Sequence, residues 1–221
     1  RGPTRARPVL IGWVLASAAC LPWAAWAADA ADDLRSAQAL QGDATRGKTA
    51  FESCVGCHRK DASGRADEPV PRLSGQHASV IIKQVADIRA GRRLNPPMKP
   101  YVDGDAMSAQ ALADIATYLQ GLPMTGKLGK GPGTATERGK QLYERDCAAC
   151  HGSKGEGIAA ASHPMVAAQH YSYLLRELAL IRDGLRGNSN PAMVQLVKTY
   201  AETDLAAVAD YMAQLPAAKA R

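Results

Sequence analysis

Four of the five cysteines stand in two equal spacings, Cys54-Val55-Gly56-Cys57-His58 and Cys147-Ala148-Ala149-Cys150-His151. Two thiols separated by two residues can add across the two vinyl groups of a haem, and the histidine that follows turns its imidazole beneath the iron as proximal ligand. The same spacing also serves zinc sites and redox-active dithiols. One zinc shared by four cysteines and two histidines would leave the wider repetition around each motif unexplained. Two covalently attached haem c groups account for both, with Cys54, Cys57, Cys147 and Cys150 as attachment points and His58 and His151 on iron.

The opposite face of each iron needs a second ligand, and six methionines and three further histidines are available. Met98 in Asn95-Pro96-Pro97-Met98 and Met193 in Asn190-Pro191-Ala192-Met193 share an Asn-Pro-x-Met pattern. Each is expected in a loop that wraps to the distal side, where a soft thioether suits iron and raises its reduction potential relative to a second histidine. The other methionines do not repeat: Met107 aligns with Tyr200, Met165 with Arg72 and Met212 with Leu119, while Met124 falls between the halves. His77 and His170 do repeat, so a bis-histidine arrangement stands as the alternative, although their place at a helix entrance suits a capping or surface role.

The elements that must position these groups repeat at the same 93-residue offset. Ile81, Ile82, Val85 and Ile88 answer Leu174, Leu175, Leu178 and Ile181, a spacing that predicts one apolar helical face in each half. Gly91 and Gly184 follow as helix stops. Leu112, Ile115, Ala116 and Leu119 answer Leu205, Val208, Ala209 and Met212 in a closing amphipathic helix. An opening helix precedes each cysteine motif, with Asp43 and Thr136 as expected N-caps. Pro71 and Pro164, each 13 residues past the ligand histidine, could offer a backbone carbonyl to its free ring nitrogen. Sustained strand-like alternation is missing, so the fold class is all-α.

Arg1, Arg5 and Arg7 precede an apolar run from Val9 to about Ala25, ending in Ala25-Trp26-Ala27, so residues 1–27 read as a signal peptide. Cys20 lies inside it, and all three tryptophans go with it. What remains has 24 basic and 21 acidic residues, no footprint for a nucleic acid. It also has one Phe, little bulk for two small cores unless a cofactor fills them. The expected organisation is domain 1 at 28–122, a Gly/Pro-rich linker at 123–135 and domain 2 at 136–221.

With the two haem motifs, the Pro71–Gln76 stretch Pro-x-Leu-Ser-Gly-Gln, the Asn-Pro-x-Met loops and the closing Ala-Asp-Ile-Ala-Thr-Tyr-Leu helix in view, the chain resembles the dihaem cytochrome c4 family. The resemblance implies two tandem class I cytochrome c domains, each wrapped around one haem c, with His58 and Met98 on one iron and His151 and Met193 on the other. It further implies a periplasmic one-electron carrier delivering toward a terminal oxidase, with redox proteins as partners and possible peripheral membrane association. A cytochrome subunit of a periplasmic dehydrogenase would use the same ligands. A dihaem peroxidase would need one iron with an open position. Ala201, where Ser108 caps the matching helix, and Met165-Val166-Ala167-Ala168 depart from the family pattern.

Overall fold

The computed structural model describes Gly2, residues 34–67 and residues 70–217; the expected signal peptide at 1–27 lies, Gly2 apart, outside them. After a helical segment over residues 34–39, the first half holds α1 (Ala44–Ala50), α2 (Val55–His58), α3 (Ala78–Arg89), α4 (Lys99–Val102) and α5 (Ala109–Gly121). The second holds α6 (Thr136–Leu142), α7 (Ala148–His151), α8 (Tyr171–Arg182), α9 (Pro191–Val197) and α10 (Glu202–Gln214). Among the described residues, extended pairing is limited to two isolated bridges, Arg65 with Val70 and Ile158 with His163.

In each half the opening helix crosses the closing one where a glycine removes the side chain. A Cβ on Gly47 would stand 2.1 Å from the Asp114 carbonyl oxygen, and one on Gly139 would stand 2.0 Å from that of Ala207. The backbones therefore touch, and aromatic rings close the crossing: Phe51 with Tyr118 at 5.9 Å and Tyr143 with Tyr211 at 5.4 Å. Leu112, Leu119 and Leu205 are fully buried beneath it, each contributing about 1.5–3 kcal/mol of transfer energy.

The two glycines are 92 residues apart while the cysteines are 93 apart. The second half absorbs its extra residue as a π-helical turn at Tyr143–Cys147, where the first half has a 3₁₀ turn at Phe51–Cys54. That single bulge restores the register of the haem motif.

Asp43 caps α1 by accepting from Arg46 N at 2.8 Å. Thr136, by contrast, is the first residue of α6 rather than its cap; Ala135 precedes it and offers no side-chain acceptor. The Gly stops are as expected, with φ of 71° at Gly91 and 72° at Gly184. Two apolar cores result, one drawn from residues 34–122 and the other from 142–215.

The segment between the halves is held at several points. Thr125 O accepts from Arg72, Gly129 N donates to His170 Nδ1, Gly129 O accepts from Tyr171 N, and Gly133 N donates to Asp210.

Candidate haem-binding sites

His58 and His151, the histidines expected as ligands, end one-turn helices and are pinned through one ring nitrogen. His58 Nδ1 lies 3.2 Å from Pro71 O, and His151 Nδ1 lies 2.9 Å from Pro164 O. A carbonyl can only accept, so both Nδ1 atoms carry the proton and both Nε2 atoms keep a free lone pair for a metal. Burial pushes both imidazoles below their ordinary pKa, the carbonyl contact pulling partly back, which favours the neutral, ligating form.

Bringing each proline carbonyl over its histidine requires a residue without a side chain beneath it. A Cβ on Gly64 would meet Pro71 O at 2.5 Å, and one on Gly157 would meet His163 O at 2.5 Å and the Pro164 carbonyl carbon at 2.7 Å. Both glycines also have positive φ, 72° and 73°, a conformation glycine adopts without steric cost. Sequence reasoning missed this pair, although its 93-residue offset was a usable signal.

The cysteines are graded in exposure: Cys57 and Cys150 exposed, Cys54 half-buried, Cys147 buried. Burial pushes the Cys54 thiol up, and burial with Asp146 pushes Cys147 up to about 12. A redox-active dithiol would need the reverse, a thiolate stabilised near neutrality. The packing suits attachment instead, since Cys147 lies within the apolar core of its half and Cys54 packs against the core of its own.

Met98 and Met193 are both half-buried against their own core clusters, but only Met98 lies ahead of a helix, as the residue preceding α4. Met193 sits inside the seven-residue α9, where a loop was expected. Asn190 caps that helix through Ala192 N at 2.9 Å and Pro191 presets its first φ. In the first half the second proline, Pro97, disfavours helical geometry before Met98. Met107 is 7 % exposed and is packed into the first core.

His77 and His170 precede α3 and α8 but make no side-chain cap. They join the halves instead: His77 Nε2 donates to Glu156 O at 2.8 Å and His170 Nε2 to Ser63 O at 2.7 Å. His170 is 1 % exposed, and its Nδ1 accepts from Gly129 N. Both of its nitrogens are therefore used by protein. Beside them, Gln76 exchanges two hydrogen bonds with the Met165 backbone at 3.0 Å each, and Gln169 exchanges two with the Arg72 backbone at 2.9 and 3.0 Å. The His77, His170, Gln76 and Gln169 contacts across the halves map onto their twins at the 93-residue offset, so the halves meet through an approximate two-fold.

A second layer lies on the same seam. Arg93 donates to Gln84 and Glu177, and Arg186 bonds Gln84 and pairs with Glu177 at 3.0 Å.

A family model for cytochrome c matches residues 44–123 and 136–216. A cytochrome c4 from Pseudomonas aeruginosa (strain ATCC 15692) is 31% identical over 179 residues, 77% of this chain and 88% of that one. The chain belongs to the dihaem cytochrome c4 family. Another member-like relative, a thiosulfate dehydrogenase electron acceptor from Stutzerimonas stutzeri (strain A1501), is 35% identical over 173 residues, 74% of this chain and 79% of that one. A crystal structure of reduced recombinant cytochrome c4 from Pseudomonas stutzeri superposes with a TM-score of 0.70 at 27% identity, covering 79% of this chain and all of that one. As a cytochrome c4 family member, the chain is an electron-transfer protein carrying two covalently bound haem c groups in two tandem helical domains.

Proposed function

We propose that the protein is a periplasmic one-electron carrier of a respiratory chain, delivering electrons toward a terminal oxidase, with residues 28–122 and 136–221 as haem domains and 123–135 as their linker. In this reading Cys54, Cys57, Cys147 and Cys150 form the thioether bonds. His58 and Met98 hold one iron; His151 and Met193 hold the other. The observation that carries it is the matched anchoring of the two imidazoles on Pro71 O and Pro164 O, which leaves Nε2 of each free to ligate. When bound, haem iron supplies the reversible one-electron chemistry, and the protein tunes and positions it.

The chain's own residues do three things. The proline carbonyls fix each imidazole and raise its basicity. Met98 and Met193 would supply the second ligand to each iron and so keep water or substrate from it. The Gln76/Gln169 and His77/His170 contacts hold the two domains in one geometry, so an electron need not wait for a diffusional encounter to cross between them. His170, with both ring nitrogens bonded, is not free to act as the distal acid/base that a peroxidase needs.

A second reading, a cytochrome subunit attached to a periplasmic dehydrogenase, is favoured by the 35% identity to a thiosulfate dehydrogenase electron acceptor. Export by the 1–27 segment supports a periplasmic location. No helix among the described residues is long and apolar enough to cross a membrane. Two low-spin haems per chain, both showing the weak sulfur-to-iron charge-transfer band, are expected for the carrier; one high-spin haem or peroxide turnover would refute it. Purification from native membranes and periplasm separates the free carrier from the dehydrogenase subunit by whether a larger enzyme copurifies.

A further inference from the structure

A small cavity on the seam is walled by three twin pairs at the 93-residue offset: Arg72 with Met165, Ser74 with Ala167 and Gln76 with Gln169. Met124, from the segment between the halves, closes it. The cavity therefore lies on the approximate two-fold. Its volume of about 10 Å³ admits a single water-sized guest.

Arg72 is 4 % exposed. Its Nε donates to Ala168 O at 3.0 Å and its Nη1 to Thr125 O at 2.5 Å and Ser74 Oγ at 3.5 Å. All three acceptors are neutral. Its Nη2 is buried with no hydrogen-bond partner among the described residues. Asp61, the carboxylate that acts on the guanidinium through space, instead accepts from Ser63 N at 3.1 Å. A guanidinium stays charged at any physiological pH, and a buried charge without a bonded counter-charge is costly.

The other polar walls have hydrogens to give and few lone pairs to offer. Gln76 Oε1 accepts from His77 N at 3.1 Å and Met165 N at 3.0 Å, and Gln169 Oε1 accepts from Arg72 N at 2.9 Å and His170 N at 3.0 Å. Both amide oxygens are thus saturated, whereas each Nε2 has committed one of its two hydrogens, to Met165 O and Arg72 O. Ser74, 2 % exposed, accepts from Arg72 and keeps its own hydrogen. A water in this cavity would cancel no charge, and its two hydrogens would compete for Ser74 Oγ and two weak thioether acceptors. A halide only accepts, and it supplies the missing negative charge. Met124 and Met165, being unbranched, can yield to its slightly larger radius.

We propose that the seam holds one halide ion, chloride being the physiological case, bound by Arg72 Nη2 together with the Ser74 hydroxyl and the glutamine amides, and that this ion fastens the two halves at their two-fold. Sulfate and phosphate are too large for the cavity. The proposal does not depend on which residues ligate iron.

Crystals of the holoprotein soaked in bromide and measured at the bromine absorption edge test it directly, with one anomalous peak expected within hydrogen-bond distance of Arg72 Nη2. In solution, replacing gluconate by chloride at constant ionic strength is expected to raise the denaturant midpoint of the holoprotein, as any ligand of the folded state does. Arg72→Gln removes the charge while keeping a donor for Ala168 O, and is expected to raise the chloride concentration needed for half the effect by at least about tenfold. Should that variant fail to assemble, Ser74→Ala, which installs the residue of the other half, is expected to raise it by about twofold to tenfold. An ordered water with no anomalous signal, a bromide peak with no chloride response in solution, or a response unchanged in the variants overturns the proposal.

Discussion

The two halves of this molecule agree around the histidine of each cysteine motif and differ in the side chains that surround it. His58 and His151 are anchored by the same proline carbonyl, over the same positive-φ glycine, 93 residues apart. Around that constant core the methionine segments differ, loop-like before Met98 and helical at Met193. The crossing of first and last helices differs too. In domain 1, Asp114 accepts from Arg46 at 2.7 and 2.8 Å and from Asp43 N at 2.8 Å; Ala207 stands in its place in domain 2. Duplication thus preserved the geometry that positions a cofactor and released the surroundings that set its environment.

The comparison can be broken hardest at Glu177. Replacing it by Gln, which makes the position match Gln84, leaves Arg93 and Arg186 buried together without a carboxylate. The expected cost is about 3–5 kcal/mol, seen as a lower denaturant midpoint and as separate unfolding of the two domains. Burial alone would raise the Glu177 pKa, but Arg186 and Arg93 hold it below the ordinary value. Its contribution is therefore complete above its unfolded pKa and is lost as pH falls through the lower folded one.

The shared feature should respond equally in both halves. Gly64→Ala and Gly157→Ala each drive a Cβ into the proline-bearing loop, at an expected cost of about 2–3 kcal/mol from strain and crowding. Each should also loosen His58 or His151 in its own domain, visible as broadened haem resonances in NMR of that domain alone.

Asp114 sharpens the difference between the halves. The Arg46 guanidinium holds its carboxyl at about 2, so the stabilisation it gives is present above its ordinary range and is lost as pH falls toward that value. Discounted for the exposure of Arg46, Asp114→Asn should cost domain 1 about 1 kcal/mol at neutral pH, and the cost should fade as pH falls through the folded pKa of about 2. Domain-resolved acid unfolding, followed at each haem, checks it; equal sensitivity in domain 2 would contradict the account. The smallest effect is at Ala201, which lacks the side-chain cap that Ser108 makes with Ala111 N at 3.1 Å. Ala201→Ser should stabilise domain 2 by about 0.5–1 kcal/mol in thermal unfolding.

Most of the fold was legible because helix periodicity and glycine stops are local signals, and the repeat supplied each one twice. The cysteine motifs and the Pro71 and Pro164 carbonyls followed from spacing. What escaped was non-local. Gln76, His77, Gln169 and His170 were seen to repeat, yet a sequence of one chain does not say that two copies of a surface face each other. Their polarity fitted a cap or an exposed position, and only the packing of one half on the other turns it into a buried seam. Met193 escaped for a different reason: one proline fewer than in the first half lets a good Asn-Pro helix start override the loop expectation.

The central claim is that each iron is held between a histidine and a methionine of its own half. Met98→Ala and Met193→Ala, made singly in the holoprotein, test it by optical spectroscopy with potentiometry. Each is expected to abolish one of two sulfur-to-iron charge-transfer bands and to lower one of two potentials, leaving the other centre as it was. A spectrum and both potentials unchanged in either variant would contradict it.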